Sequence, residues 1–155
     1  MLYPIVSKYE ILDVLLTYSK LHKTIKNNVI NLYFPQGTYF DSSSNSLLIA
    51  NYGANIVVRW VLGASSWTII AGSSSEASGS TSILLSLPAD VTLDSLGNVY
   101  VADNSNERVQ LFLSGTSNGT TIAGTKLTAG NTANLLNGSY SIVVDSQFNL
   151  YVSDQ

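Results

Sequence analysis

The chain has 155 residues, 45% of them hydrophobic and 11% charged, with a formal net charge of −3, which suits one ordinary domain with a buried core. The absence of cysteine excludes disulfide bonds and thiolate metal sites. With seven lysines and arginines against ten acids, the chain lacks the clustered cations that displace counterions from phosphates, so it is not predicted to bind nucleic acid.

Residues 1–31 differ in character from the rest of the chain and form a separate, non-repeat segment. Apolar residues recur at spacings of three and four between residues 4 and 26, and lysines gather at the end of that stretch, where cations interact favourably with a helix dipole. The pattern predicts a short N-terminal helix that packs on or caps the following domain, with a membrane-surface anchor or a partner-binding helix as alternatives. The apolar runs are much shorter than the ~20 residues of a membrane span, so no membrane span is predicted.

From Leu32 onward, short runs of β-branched and aromatic residues alternate with clusters of Ser, Gly and Asn, and these runs repeat. Pro35 and Pro88 are 53 residues apart, and Trp60 and Phe112 are 52 apart. A period of about 50 residues favours radially arranged sheets rather than a β-helix, because the coils of a β-helix are shorter.

Each repeating unit contains four apolar runs, the number that a four-stranded propeller blade needs. The sequence therefore predicts an all-β domain over residues 32–155, with blades at about residues 32–72, 87–124 and 135–155, the last one truncated.

The second unit is the best formed of the three. Between its first two runs, Asp94 can accept hydrogen bonds from the turn backbone and Gly97 can take the positive φ of a tight hairpin. The run at residues 99–102 shows little polar alternation, which predicts a strand covered on both faces.

The second unit contains a set of motif residues: Pro88, Asp94, Gly97, Asn98, Tyr100, Asp103, Asn106, Arg108 and Phe112. With these residues the unit resembles an NHL repeat, the unit of one family of β-propellers. The resemblance implies that the sheets close into a six-bladed ring and that the motif residues mainly build the blade. Because the chain supplies less than half of such a ring, we expect it to be a fragment or to cover the open edge of its last blade by self-association.

The other two units depart from this pattern at its polar positions. The first has Asn51 in place of Asp103 and Ile56 in place of Arg108, and the third has Phe148 in place of the turn glycine. We therefore expect no polar ligand site that is repeated on every blade.

The sequence predicts no catalytic residue, no metal site and no cofactor. His22 is the only histidine and is expected to be solvated, whereas propeller lyases and zinc sites need several such ligands. Asp103, Ser105 and Glu107 are spaced like the start of a calcium loop, but Arg108 occupies the position of the required glycine. We expect instead that Asp103 and Asn106 cap a turn and that Arg108 pairs with an acid.

The predicted function is a non-catalytic scaffold that binds a protein or glycan partner through its loops. The alternatives are a fragment of a lyase-like propeller enzyme, or of the substrate-recognition domain of a ubiquitin ligase, whose active parts lie outside this chain. The sequence gives no compartment, although N-glycosylation motifs at Asn118 and Asn137 slightly favour an extracellular one over the cytoplasm if a signal sequence is missing from the chain. The candidate contact residues are Tyr52, Asn55, Asn104, Asn106 and Glu107, together with the serine-rich loop at residues 73–82.

Overall fold

The computed structural model describes residues 32–155, which form three antiparallel β-sheets. The helix predicted at residues 4–26 lies outside this range. Between residues 32 and 155 there is no α-helix, only two 3-10 turns at Tyr52–Ala54 and Asn104–Asn106. This part of the chain accordingly contains no helix that is long and apolar enough to cross a membrane.

The strands of each sheet follow one another in chain order, each paired antiparallel with the next. The first sheet contains β1 (Pro35–Asp41), β2 (Ser46–Asn51), β3 (Ile56–Val61) and β4 (Thr68–Ala71). The second contains β5 (Pro88–Leu93), β6 (Val99–Asp103), β7 (Arg108–Phe112) and β8 (Gly119–Gly124). The third contains β9 (Ser141–Val144) and β10 (Leu150–Ser153).

The second sheet lies between the other two, and this position explains the composition of its strands. Val99 and Val101 of β6 pack into a core shared with the first sheet, whereas Tyr100 and Ala102 pack into a core shared with the third. Since both faces are covered, neighbouring side chains are all apolar, as the sequence predicted.

The first strands of successive sheets lie next to one another, so that β5 contacts both β1 and β9. Gly37 in β1 lies so close to β5 that a Cβ at this position would overlap Asp90. Asp90 in turn accepts hydrogen bonds from the Ser141 hydroxyl and the Ile142 amide of β9, both at 2.9 Å. Four-stranded sheets stacked face to face with adjoining first strands form a β-propeller-like fold.

The connections between strands lie at the two opposite ends of the strands, which we call the hairpin edge and the connector edge. The hairpin edge carries the hairpins β1–β2, β3–β4, β5–β6, β7–β8 and β9–β10. The connector edge carries both 3-10 turns and the two connectors, residues 72–87 and 125–140, that lead from one sheet to the next.

The β5–β6 and β9–β10 hairpins have the same geometry although only the first contains the turn glycine. Asp94 accepts from the amides of Leu96 and Asn98 at 2.9 Å each, and Gly97 has φ of +80°. Asp145 accepts from two backbone amides in the same way, also at 2.9 Å. Phe148 therefore adopts φ of +64° in place of glycine, a conformation that is strained for a residue with a Cβ.

Phe148→Gly should raise the stability of the third sheet by about 1 kcal/mol, because glycine adopts a positive φ without this strain. Urea denaturation followed by hydrogen exchange of the β9–β10 amides would measure the change. Gly97→Phe is the reciprocal variant and should destabilise the second sheet. Equal or lower stability of Phe148→Gly would contradict the assignment of strain to Phe148.

Candidate functional site

A buried polar network lies at the connector edge of the second sheet. Asp103 is 0% exposed and Arg108 is 3% exposed. Arg108 Nε and Asn106 Nδ2 both donate to Asp103 Oδ2 at 2.8 Å, and the Ser86 amide donates to Asp103 Oδ1 at 2.7 Å. The acid paired with Arg108 is thus Asp103, five residues earlier at the end of the neighbouring strand.

Arg108 also binds the connector between the first two sheets. Its Nη1 donates to the carbonyl of Ser80 at 3.1 Å, and its Nη2 donates to the carbonyls of Thr81 and Leu84 at 2.9 and 3.1 Å. The planar guanidinium suits this task because it holds several donors in fixed directions. The serine-rich loop, predicted as a contact region, is therefore bound to the second sheet along its C-terminal half.

The surroundings of Asp103 do not favour catalysis by its carboxyl group. Burial raises the pKa of Asp103, and the hydrogen bonds from Ser86, Asn106 and Arg108, with the charge of Arg108, oppose that rise. The side chain is completely covered and already accepts three hydrogen bonds. A substrate has no direct access to this carboxyl group, and the network acts in packing.

Two of the predicted contact residues are buried, which corrects that part of the sequence prediction. Asn104 is 8% exposed and Asn106 is 2% exposed. Asn104 Nδ2 donates to the Ser139 carbonyl at 3.2 Å, and Asn106 Nδ2 donates to the Gly79 carbonyl at 2.8 Å. Both side chains are used in holding the connectors, because the 3-10 turn directs them into the protein.

Asn55 and Glu107, the residues that follow the two turns, join each sheet to the next one. Both have φ of +56°. Asn55 Oδ1 accepts from the Leu87 amide at 3.0 Å, and Glu107 Oε2 accepts from the Gly138 amide at 2.6 Å. Tyr52, in the first turn, is half-buried. The predicted contact residues thus lie together at the connector edge, but most of them hold the sheets together.

The remaining motif residues support the β5–β6 hairpin and the core. Asn98 Nδ2 and the Tyr100 hydroxyl donate to Asp94 Oδ2 at 2.8 and 3.2 Å. Pro88 is buried at the start of β5, and Phe112 is buried in the core shared with the first sheet.

These contacts determine the protonation of Asp94. Burial would raise its pKa, but the hydrogen bonds from Asn98, Leu96 and Tyr100 outweigh burial and hold the pKa below the ordinary value of 3.8. A carboxyl group whose pKa is lowered by folding stabilises the folded state above its unfolded pKa.

The contribution of Asp94 to stability should therefore be present above about pH 4 and be lost as the pH falls through the lower, folded pKa. Melting temperatures of the wild type and of Asp94→Asn, measured from pH 7 down to pH 2, would show this. The wild type should be more stable at neutral pH, and the difference should shrink on acidification. A difference that does not change with pH would contradict an ionised Asp94 in this turn.

The hairpin edge exposes apolar side chains at successive hairpins. Leu96 at the tip of β5–β6 is 68% exposed and Leu113 at the start of β7–β8 is 56% exposed. Val61, which ends β3, and Phe148, in the β9–β10 turn, are exposed as well. A row of exposed apolar residues can form an interaction surface, although the connector edge also exposes large apolar side chains, such as Leu127 at 61% and Tyr140 at 50%.

A cleft of about 450 Å³ opens at the same edge, between the first and second sheets. Its walls include Ile70 of β4 with Val99 and Phe112 of the second sheet, and Arg59 and residues 113–117 complete it. Arg59 was not among the residues predicted from the sequence, although one signal was available. The second unit has Leu111 at the position that corresponds to Arg59, since each lies opposite the fourth residue from the end of the preceding strand.

Among residues 32–155, no group of three or more His, Cys, Asp or Glu side chains could hold a metal ion. The acids of this part of the chain lie instead in turns and at sheet junctions, as described for Asp94, Asp103 and Glu107.

The similarity to known proteins is partial in sequence and extensive in structure. The NHL repeat family model matches residues 85–112. No curated protein matches the sequence significantly. A structural genomics protein of unknown function from Bacteroides thetaiotaomicron VPI-5482 is similar with a TM-score of 0.67 at 15% identity, over 83% of this chain and 35% of that one.

Two auxiliary nutrient binding proteins are similar as well. The protein from Bacteroides thetaiotaomicron VPI-5482 has a TM-score of 0.63 at 15% identity, over 81% of this chain and 37% of that one. The protein from Bacteroides ovatus ATCC 8483 has a TM-score of 0.60 at 16% identity, over 76% of this chain and 34% of that one. This chain thus spans about a third of the length of these structures, and at such identity the likeness shows the fold alone. Residues 85–112, which match the NHL repeat, thus lie within β-propeller-like sheets.

Proposed function

We propose that residues 32–155 form a non-catalytic scaffold that binds a protein or glycan partner at the hairpin edge. The observation that carries this proposal is the exposure of Leu96 and Leu113, with Val61 and Phe148, on one edge of three successive sheets. Interfaces are centred on apolar residues that become buried on binding, and this edge offers them on a rigid sheet framework.

The distribution of polar groups supports a scaffold without a catalytic role. Asp103, Asn106 and Arg108 are buried in contacts between the second sheet and a connector. Asn55 and Glu107 join neighbouring sheets. Groups that are engaged in this way stabilise the framework and leave recognition to the exposed edge.

Two of the structural neighbours are named as nutrient binding proteins, which also favours binding over catalysis.

We further propose that these sheets belong to a closed ring of six, as in the family that the sequence resembles. Other sheets, from the same polypeptide or from a second copy, would then cover the outer face of the third sheet, where Val143 and Tyr151 are exposed.

Replacement of the apolar side chains at the hairpin edge tests the proposal. The variant Leu96→Ser/Leu113→Ser should lose the proteins or glycans that the wild-type chain retains in affinity capture and on a glycan array. Leu127→Ser is the matched control, since Leu127 is 61% exposed but follows β8 at the connector edge. Unchanged capture by the double variant, or loss in the control alone, would contradict binding at the hairpin edge.

A further inference from the structure

The cleft between the first two sheets contains an arginine whose hydrogen-bonding capacity is only partly used. Arg59 Nη1 donates to Asp41 Oδ2 and to the Ser44 hydroxyl, both at 3.3 Å. Its Nε and Nη2 have no hydrogen-bond partner among residues 32–155. A guanidinium presents five N–H donors, so Arg59 retains several for a ligand.

The repeat itself would place an apolar residue at the position of Arg59. Arg59 lies opposite Leu48, and its counterpart Leu111 lies opposite Tyr100. Leu111 packs against the core shared with the third sheet, so this position serves sheet packing in the second unit. A charged residue at a position that the fold uses for packing is the kind of local exception that marks functional sites.

Two serine hydroxyls of the same cleft are also without partners. Ser114 and Ser117 line the cleft, and their hydroxyl groups have no hydrogen-bond partner among the residues that the structure describes. The hydroxyl of Thr116 differs, because it donates to the Leu113 carbonyl at 2.8 Å. The cleft therefore offers free donors and acceptors together with the apolar side chains of Ile70 and Val99.

The charge around the cleft favours a neutral ligand over an anion. Asp41 lies 3.3 Å from Arg59 and balances its charge. An added carboxylate or phosphate would be repelled by Asp41, whereas a hydroxyl group can accept from Arg59 without such a cost.

We propose that this cleft binds a neutral pyranose ring, such as the end of a glycan chain. The sugar hydroxyls would accept hydrogen bonds from Arg59, and they would donate to or accept from the hydroxyls of Ser114 and Ser117. The C–H face of the ring would pack on Ile70 and Val99. The cleft volume of about 450 Å³ lies within the ~300–1,000 Å³ that is usual for small-molecule sites. This inference rests on the proposed binding function and specifies its ligand class.

Ligand-observed saturation-transfer NMR of the full 155-residue chain with glucose, galactose, mannose and N-acetylglucosamine tests the inference. At least one sugar should show transfer. Its dissociation constant should rise roughly tenfold in Arg59→Leu, which copies Leu111, because charged hydrogen bonds to the ligand are lost. Ser114→Ala should weaken binding less. Lys126→Leu is the control, since it removes a cation outside the cleft and should leave the affinity unchanged.

A second variant makes the test independent of the effect of Arg59 on folding. Ile70→Trp places a larger side chain in the cleft and should abolish the saturation transfer while leaving Arg59 in place. The inference would be overturned if none of the four sugars showed transfer. It would also be overturned if Arg59→Leu and Ile70→Trp both bound the sugar with the affinity of the wild type. If capture at the hairpin edge still depends on Leu96 and Leu113 in that case, the proposed function stands and the sugar site alone is refuted.

Discussion

Arg108→Ile should lower the free energy of unfolding by about 3–5 kcal/mol, because it leaves the carboxylate of Asp103 buried without its cation. Asp103 is 0% exposed and cannot recover its hydration in the folded state. The carbonyls of Ser80 and Leu84 lose the hydrogen bonds from Arg108 as well. Chemical denaturation monitored by far-UV circular dichroism would measure the change.

The first sheet supplies a matched control for this variant. It has Asn51 and Ile56 where the second sheet has Asp103 and Arg108, and the double variant Asp103→Asn/Arg108→Ile copies that pair. Since the double variant leaves no buried charge, it should be clearly more stable than Arg108→Ile alone. If the double variant were as unstable as the single one, the charge of Asp103 would not be the cause of the loss.

Gly124→Ala should destabilise the chain by about 3 kcal/mol, for two reasons that add together. Gly124 has φ of +78°, a conformation strained for alanine. A Cβ at this position would also overlap the carbonyl oxygen of Glu107 and lie 3.0 Å from the Cα atom of Arg108. Because both obstacles are backbone atoms, the β7–β8 pairing would have to shift. Thermal and urea denaturation would measure the effect.

Gly115→Ala separates the two contributions. Gly115 also has φ of +78°, but a Cβ there would meet no atom within 4 Å. Its replacement should therefore cost about 1 kcal/mol, from backbone strain alone. Similar losses in the two variants would show that the approach of Gly124 to the Glu107 carbonyl is unimportant.

Much of the fold was predictable because it depends on local sequence. The four apolar runs of a unit predicted a four-stranded sheet, as found in the first two sheets. The uninterrupted run at residues 99–102 predicted a strand covered on both faces, which the two cores confirm. Asp94 with Gly97 predicted a hairpin, because the carboxylate and the glycine act within a few residues of each other. The helix predicted at residues 4–26 lies outside the described residues and stays a prediction.

The candidate site was less predictable because it depends on contacts between distant residues. A polar residue in a loop-like segment is expected to be exposed, but Asn104 and Asn106 are buried because the connectors cross over their turn. The cleft forms only where the first sheet packs on the second, so the sequence around Arg59 does not show it. The difference between Arg59 and Leu111 was visible in the aligned repeats, but its meaning required the structure.

The proposed binding at the hairpin edge can be tested by amide chemical shifts of the isotope-labelled chain, recorded while the captured partner or the sugar is added. We predict changes at residues 96–97 and 113–117, along the hairpin edge and the cleft, with the amides of residues 104–107 unaffected. Changes centred on residues 104–107 instead would place recognition at the connector edge and contradict the assignment of that edge to holding the sheets together.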